Sequence, residues 1–230
     1  MQIYYDFHIH SALSPCGEDD MTPNNIVNMA KIKGLDAIAV CDHNSTKNVQ
    51  AIGKVAADAG LTLLPAAEVT TAEEVHILVV FENILQAVAF GDAAYDILPN
   101  IKNNTEFFGN QFIMNEKDEV IGQLDKLLIS ALPYDIDKCC DMAKEYGGYV
   151  IPAHVNKDAN SIFANLGFFP PQLKFKTIET VKGLSVEGDI SGFEVIHSSD
   201  AHNLWQIAEK ENFIDVQENN VSQLIKKLCL

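Results

Sequence analysis

The chain has 230 residues, 47% of them apolar, and a formal charge of −16 at pH 7. That length suits one domain with a sizeable core; no apolar run reaches the roughly 18 residues of a membrane span, and five irregularly spaced cysteines with no leader pattern at the N-terminus point to a cytoplasmic protein. The acidic surplus opposes a phosphate backbone, so duplex nucleic acid and membranes are not expected partners, and because all sixteen basic residues are lysines, a substrate phosphate must be held by metals, lysine, histidine or backbone amides.

The N-terminal third alternates strand and helix signals. Ile3 to His8 reads as a strand, followed by a polar loop from Ser11 to Met21. Thr22-Pro23 reads as a helix start, with Ile26, Val27, Met29 and Ala30 on one face and Gly34 as the stop. A buried strand follows at 35–41, then a helix opened by Ser45 or Thr46 and closed by Gly60, then strands at 61–66 and 75–81. Near-continuous apolar strands between amphipathic helices predict a parallel sheet covered on both faces. A helix is expected over 84–98. Residues 111–128 read as a hairpin or a strand–turn–helix, and the segment at about 100–133 interrupts the alternation as an insertion. The pattern resumes with a helix near 136–146, a strand over 149–153, a short helix over 158–167, strands at 184–187 and 193–197, and a C-terminal helix marked by Val221, Leu224, Ile225 and Leu228.

Chemistry separates an open sheet from a barrel. Six of the seven histidines lie at the ends of apolar runs near carboxylates. His8 and His10 are two apart on a strand, so both face one way and can share a metal; Asp200 and His202 repeat that spacing. Asp42-His43 closes a strand, Glu68 follows one, His76 opens one and His154 ends one. In a barrel such strand ends converge on one face, so an α/β barrel of the TIM-like kind is expected. Mixed nitrogen and oxygen donors suit Zn, Mn or Fe. The eight candidate ligands exceed the roughly three or four that one catalytic metal takes from a protein, which implies two or three divalent cations.

The motifs, in order, are DFHIH at 6–10, Thr22-Pro23, CDHN at 41–44, AAE at 66–68, His76, PAH at 152–154 and SDAH at 199–202. In this order they resemble the PHP (polymerase and histidinol phosphatase) family across most of the chain. The resemblance implies a distorted seven-stranded (β/α) barrel over residues 1–230 and a trinuclear metal centre. It implies metal ligands at His8, His10, His43, Glu68, His76, His154, Asp200 and His202, with Glu68 bridging two metals. The chain departs from the family in having Cys41 where a threonine is usual. Its loop after His10 is also longer than the commonest form, so Cys16, Glu18 or Asp20 is left to fill the ninth position. Lys157 is the candidate phosphate-binding residue, with Lys47 a weaker one.

These features predict a phosphatase or phosphoesterase that hydrolyses a small phosphorylated metabolite by metal-activated hydroxide, with His202 or His197 protonating the leaving oxygen. His197 reads as a residue behind the ligands or a proton carrier, and equally as a core histidine. The alternatives are a nuclease acting on single-stranded oligonucleotides, a catalytically silent metal-binding regulatory domain, and a metal-dependent amidohydrolase, which the histidine order fits less well.

Overall fold

The computed structural model describes residues 1–230. Its strands are β1 (Gln2–Ile9), β2 (Ala37–Val40), β3 (Thr62–Leu63), β4 (Ala66–Thr70), β5 (His76–Phe81), β6 (Phe112–Met114), β7 (Val120–Gln123), β8 (Gly148–Pro152), β9 (Thr177–Thr180), β10 (Glu194–His197) and β11 (Phe213–Asp215). The helices are α1 (Pro23–Ile32), α2 (Val49–Asp58), α3 (Ile84–Ile97), α4 (Thr105–Phe108), α5 (Ile136–Glu145), α6 (Ile162–Leu166) and α7 (Val221–Cys229). No helix is long and apolar enough to cross a membrane.

The fold is mixed α/β, with four separate ladders: β11-β1-β2-β3, β4-β5-β8, β9-β10 and the β6-β7 hairpin. They meet at isolated points without merging into one closed barrel. Ile9 bridges Ala201, His43 bridges Glu68, and the Val155 N–H donates to the Glu179 carbonyl. The expected all-parallel sheet is corrected. β1, β2 and β3 run parallel, but β4, β5 and β8 are antiparallel. The link between β4 and β5 is too short for a helical crossover, so the chain must turn back on itself. This reversal puts the start of β5, His76, at the same end as Glu68.

Local chemistry accounts for most element boundaries. Thr22, Asn83, Asp135, Ser161 and Asn220 each cap a helix through a side-chain oxygen. Neither Ser45 nor Thr46 opens α2, which starts at Val49. The Thr46 hydroxyl instead donates to the Ala87 carbonyl at 2.9 Å, tying the strand-end loop to α3. The strand expected at 184–187 lies at 177–180 instead. Its sequence, Thr-Ile-Glu-Thr, has no apolar run, yet all four residues are buried. In the inserted segment the hairpin alternative is present and the helical one is not. That hairpin leans on the loop after β1, where the Phe112 N–H donates to the Ala12 carbonyl.

β1 changes face midway. Ile3, Tyr5 and Phe7 join a core shared by β2, β4, β5, β8, β10 and α7. Pairing with β2 then shifts between Asp6 and Ile9, and Ile9 belongs to the other core, which lies against α1, α2, α3 and α5. A one-residue irregularity reverses side-chain alternation. Phe7 and His8 therefore both turn toward the strand interior, with Phe7 in the core and His8 among the polar side chains above it.

Gly91 of α3 abuts Thr46 so closely that an added Cβ would collide with the Thr46 hydroxyl and amide. Gly91→Leu is expected to cost about 1–3 kcal/mol by overpacking, read as a lowered Tm; an unchanged Tm would contradict this packing.

Candidate metal centre

At one end of the strands lies a cavity of about 650 Å³ whose lining includes Cys16, His43, Glu68, His76, His154, Lys157, Asp200 and His202. Glu68 is its hub. Its Oε1 lies 2.8 Å from His76 Nδ1, 3.1 Å from His154 Nε2 and 3.4 Å from His8 Nε2. Its Oε2 lies 3.1 Å from His43 Nδ1 and 3.4 Å from His10 Nε2. Asp200 Oδ1 stands 3.1 Å from His10 Nε2 and 3.4 Å from His8 Nε2, while its other oxygen meets Lys157 Nζ. All eight expected ligand side chains are thus brought to one place, with Lys157 beside them. Lys47 is not, because it pairs with Asp92 at 2.6 Å.

Hydrogen bonds behind the rings aim them. His8 Nδ1 donates to the buried Glu179 carboxylate at 2.9 Å, and the same Glu179 oxygen accepts the His154 amide at 2.9 Å. His10 Nδ1 donates to Ser14 Oγ at 3.0 Å, and that hydroxyl donates to buried Asp42 at 2.7 Å. Ser11 adds an amide and a hydroxyl to Asp42, at 2.8 and 2.6 Å. His202 Nδ1 donates to the Asp200 carbonyl at 2.8 Å. In these three rings Nδ1 is engaged at the back, which leaves Nε2 available in front, whereas His43 and His76 turn Nδ1 toward Glu68.

Glu179 is the functional residue that sequence reading misses, because its strand carries no periodic apolar signal. The Ser11 and Ser14 hydroxyls belong to a loop that reads only as polar. Backbone strain marks the same site. His154 (φ 28°) and Asp200 (φ 53°) occupy the left-handed region, which for such residues costs on the order of 1–3 kcal/mol each and clusters where function fixes geometry.

The electrostatics are those of a buried mixed-charge cluster. Burial works to raise Glu68, yet the imidazoles of His76, His8 and His43 hold it well below the usual carboxylate range. Burial works to lower His8, but Glu179, Asp200 and Glu68 push it well above the ordinary imidazole value. Burial, aided by His10, brings His202 down to about 4, which leaves its ring neutral at pH 7 and able to act as a ligand. His8 Nε2, His43 Nδ1 and Glu68 Oε2 are buried without a hydrogen-bond partner. Each such atom costs roughly 1–3 kcal/mol, and a divalent cation would satisfy them together. The donor set fits a Zn-, Mn- or Fe-type ion.

Three overlapping groups have ligand atoms within 4.8 Å of one another: His8, His10 and Asp200; His43, Glu68 and His76; and His10, Cys16, His43 and His202. The three candidates in the loop are all exposed, and of them only Cys16 lines the cavity. His197 stands apart. Its Nδ1 is 2.9 Å from the Thr180 hydroxyl, and it lines a separate depression with Lys182 and Glu211. The expectation that it reaches a leaving group in this cavity is corrected accordingly.

The model of the PHP domain family matches residues 6–155. A search of the curated proteins finds no match. Among solved structures, the lesion-specific endonuclease from Pyrococcus furiosus aligns with a TM-score of 0.71 and 19% identity over 99% of this chain and 56% of its own. An Endonuclease Q complex with a 27-mer duplex bearing an abasic lesion at the active site gives 0.67 and 19%, over 98% and 56%. A Bifidobacterium adolescentis protein assigned as a metal-dependent phosphoesterase gives 0.63 and 18%, over 98% and 96%. At these identities the likeness is one of fold, and the chain spans about 56% of the length of the two endonuclease chains. The expectation that duplex nucleic acid is excluded does not stand, since a chain of this fold holds a duplex at its active site. Net charge sums over the whole surface, whereas cations bound at the site set the local field that a phosphate meets.

Replacing Glu179 by Gln removes the charge behind His8 and His154 while keeping the shape. Metal affinity in a competition titration is expected to fall roughly 10–100-fold, as for other partners that orient metal-bound histidines; an unchanged affinity would remove Glu179 from the site.

Proposed function

The chain belongs to the PHP domain family, and on that premise we propose that it is a metal-dependent phosphoesterase that hydrolyses a phosphate ester in the cavity around Glu68. The observation that carries the reading is the convergence of eight nitrogen- and oxygen-bearing side chains, several with unpaired buried ligand atoms, beside a single lysine. We take the strands β1, β2, β4, β5, β8, β9 and β10 as a distorted seven-stranded barrel, supported by the bridges that link their ladders. Residues 1–230 form one such domain, with the segment at about 100–133 inserted.

His8, His10, His43, Glu68, His76, His154, Asp200 and His202 would hold two or three divalent cations, with Zn, Mn and Fe favoured by the donor set. Bound there, such ions supply Lewis acidity toward phosphoryl oxygens and lower the pKa of water toward neutrality. The chain's own residues do the rest. Glu179 and the Ser14–Asp42 pair fix ring orientation before substrate arrives. Lys157, partly exposed at the cavity beside Asp200, offers the one cationic side chain among the lining residues to a substrate phosphate. His202 enters as a ligand.

A small phosphorylated metabolite fits the cavity, whose volume falls in the usual range of about 300–1,000 Å³ for small-molecule sites. A second reading is an endonuclease, favoured by the fold shared with the lesion-specific endonuclease over nearly all of this chain.

With Mn or Zn added, the chain is expected to hydrolyse p-nitrophenyl phosphate. His8→Ala and Asp200→Ala should reduce the rate to the metal-free level, and Lys157→Ala should raise KM more than it lowers kcat. Absence of hydrolysis with every metal on a panel of small phosphate esters, together with incision of an abasic duplex, would transfer the assignment to the second reading; inactivity on both would end it.

A further inference from the structure

We propose that Cys16 is a metal ligand, so that one position of the centre is a mixed sulfur–nitrogen site built from Cys16, His10, His43 and His202. The inference rests on the metal-dependent reading above and deepens it. The sulfur and one ring nitrogen from each histidine lie within 4.8 Å of one another, the spacing that a single ion can span.

The placement of Cys16 is constructed by its loop. The Gly17 N–H donates to the Ser14 carbonyl, closing a turn around Cys16, and the Glu18 N–H donates to the His202 carbonyl, at 2.9 Å each, which ties that turn to the segment carrying His202. Gly109, in the inserted segment, presses against the Pro15 carbonyl from outside. A side chain at Gly109 would collide there, so the glycine permits the segment to close over the loop. The rings opposite are equally fixed. His10 and His202 stack with centroids 4.4 Å apart, and His43 lies 4.6 Å from His10.

The second, independent observation is His43. It is 5% exposed and lines the same cavity as Cys16, and its Nδ1, 3.1 Å from Glu68 Oε2, makes no hydrogen bond. A loop thiol without a role would not need a buried, unsatisfied imidazole within ligand distance. The carboxylates of the same loop, Glu18, Asp19 and Asp20, are exposed and do not line the cavity. Ligation forms a sulfur–metal bond and releases the thiol proton to solvent. A thiolate donor is soft, so it favours zinc over manganese at that position, in contrast to the oxygen-bearing groups around Asp200 and Glu68. Cys41 and Cys139 are buried, Cys140 and Cys229 are partly buried, and none of the four lines the cavity.

The test uses the full chain loaded with Co(II), with bound metal counted by elemental analysis. A near-ultraviolet sulfur-to-cobalt charge-transfer band is expected. It should be lost in Cys16→Ser and in Cys16→Asp, the latter retaining cobalt through oxygen, and kept in Cys140→Ser. In parallel, iodoacetamide should alkylate Cys16 in metal-free protein and be blocked by stoichiometric zinc. Bound cobalt without the band, a band that survives in Cys16→Asp, or equal alkylation with and without bound zinc overturns the thiolate ligand alone. A chain that binds no metal overturns both this proposal and the phosphoesterase reading.

Discussion

The rest of the structure depends on one electrostatic constraint: six imidazoles and the carboxylates of Glu68, Asp200 and Glu179 are gathered at one end of the strands, largely out of water. Such a cluster is tolerable only if each ring knows which nitrogen carries its proton. Glu179 decides this for His8, the Ser14–Asp42 pair for His10, and the Asp200 carbonyl for His202. Half-satisfied polar networks are costly, and here His8 Nε2, His43 Nδ1 and Glu68 Oε2 are left unpaired beside the cavity. The site is therefore preorganised from behind at His8, His10 and His202, and a cation in front would satisfy the atoms left unpaired there.

Strand geometry serves that constraint. The antiparallel return from β4 to β5 brings His76 to Glu68, a meeting that a parallel crossover would have placed at opposite ends. Left-handed backbone at His154 and Asp200 turns these residues in from the ends of β8 and of the segment after β10. Neither conformation is favoured locally, so the surrounding hydrogen bonds must impose it.

Much of this is written in the sequence, and the exceptions have physical causes. The ligand motifs are legible because each sits against an apolar run whose strand can be recognised, and helix starts such as Thr22-Pro23 carry their own capping chemistry. The direction of β4 and β5 is not legible, because apolar periodicity reports burial and not orientation. Nor is Glu179: a four-residue strand in which three side chains are polar is buried only because its partners exist in three dimensions. Charge misled in the same way. A formal −16 describes the surface as a whole, and it does not speak for the one end of the fold where a phosphate would arrive.

The irregularity in β1 has a consequence for how such a site can arise and be lost. Upstream of it the strand is ordinary scaffold, with Ile3, Tyr5 and Phe7 filling a core. Downstream the same alternation runs in opposite phase and displays His8 and His10. The two halves are thus a supporting girder and a presenting tip joined by a single phase slip. Substitutions on the girder act through folding, those on the tip through chemistry. Were the slip ironed out with no residue lost, the alternation downstream would invert, sending Ile9 toward the cavity and the two histidines toward the apolar core under the helices.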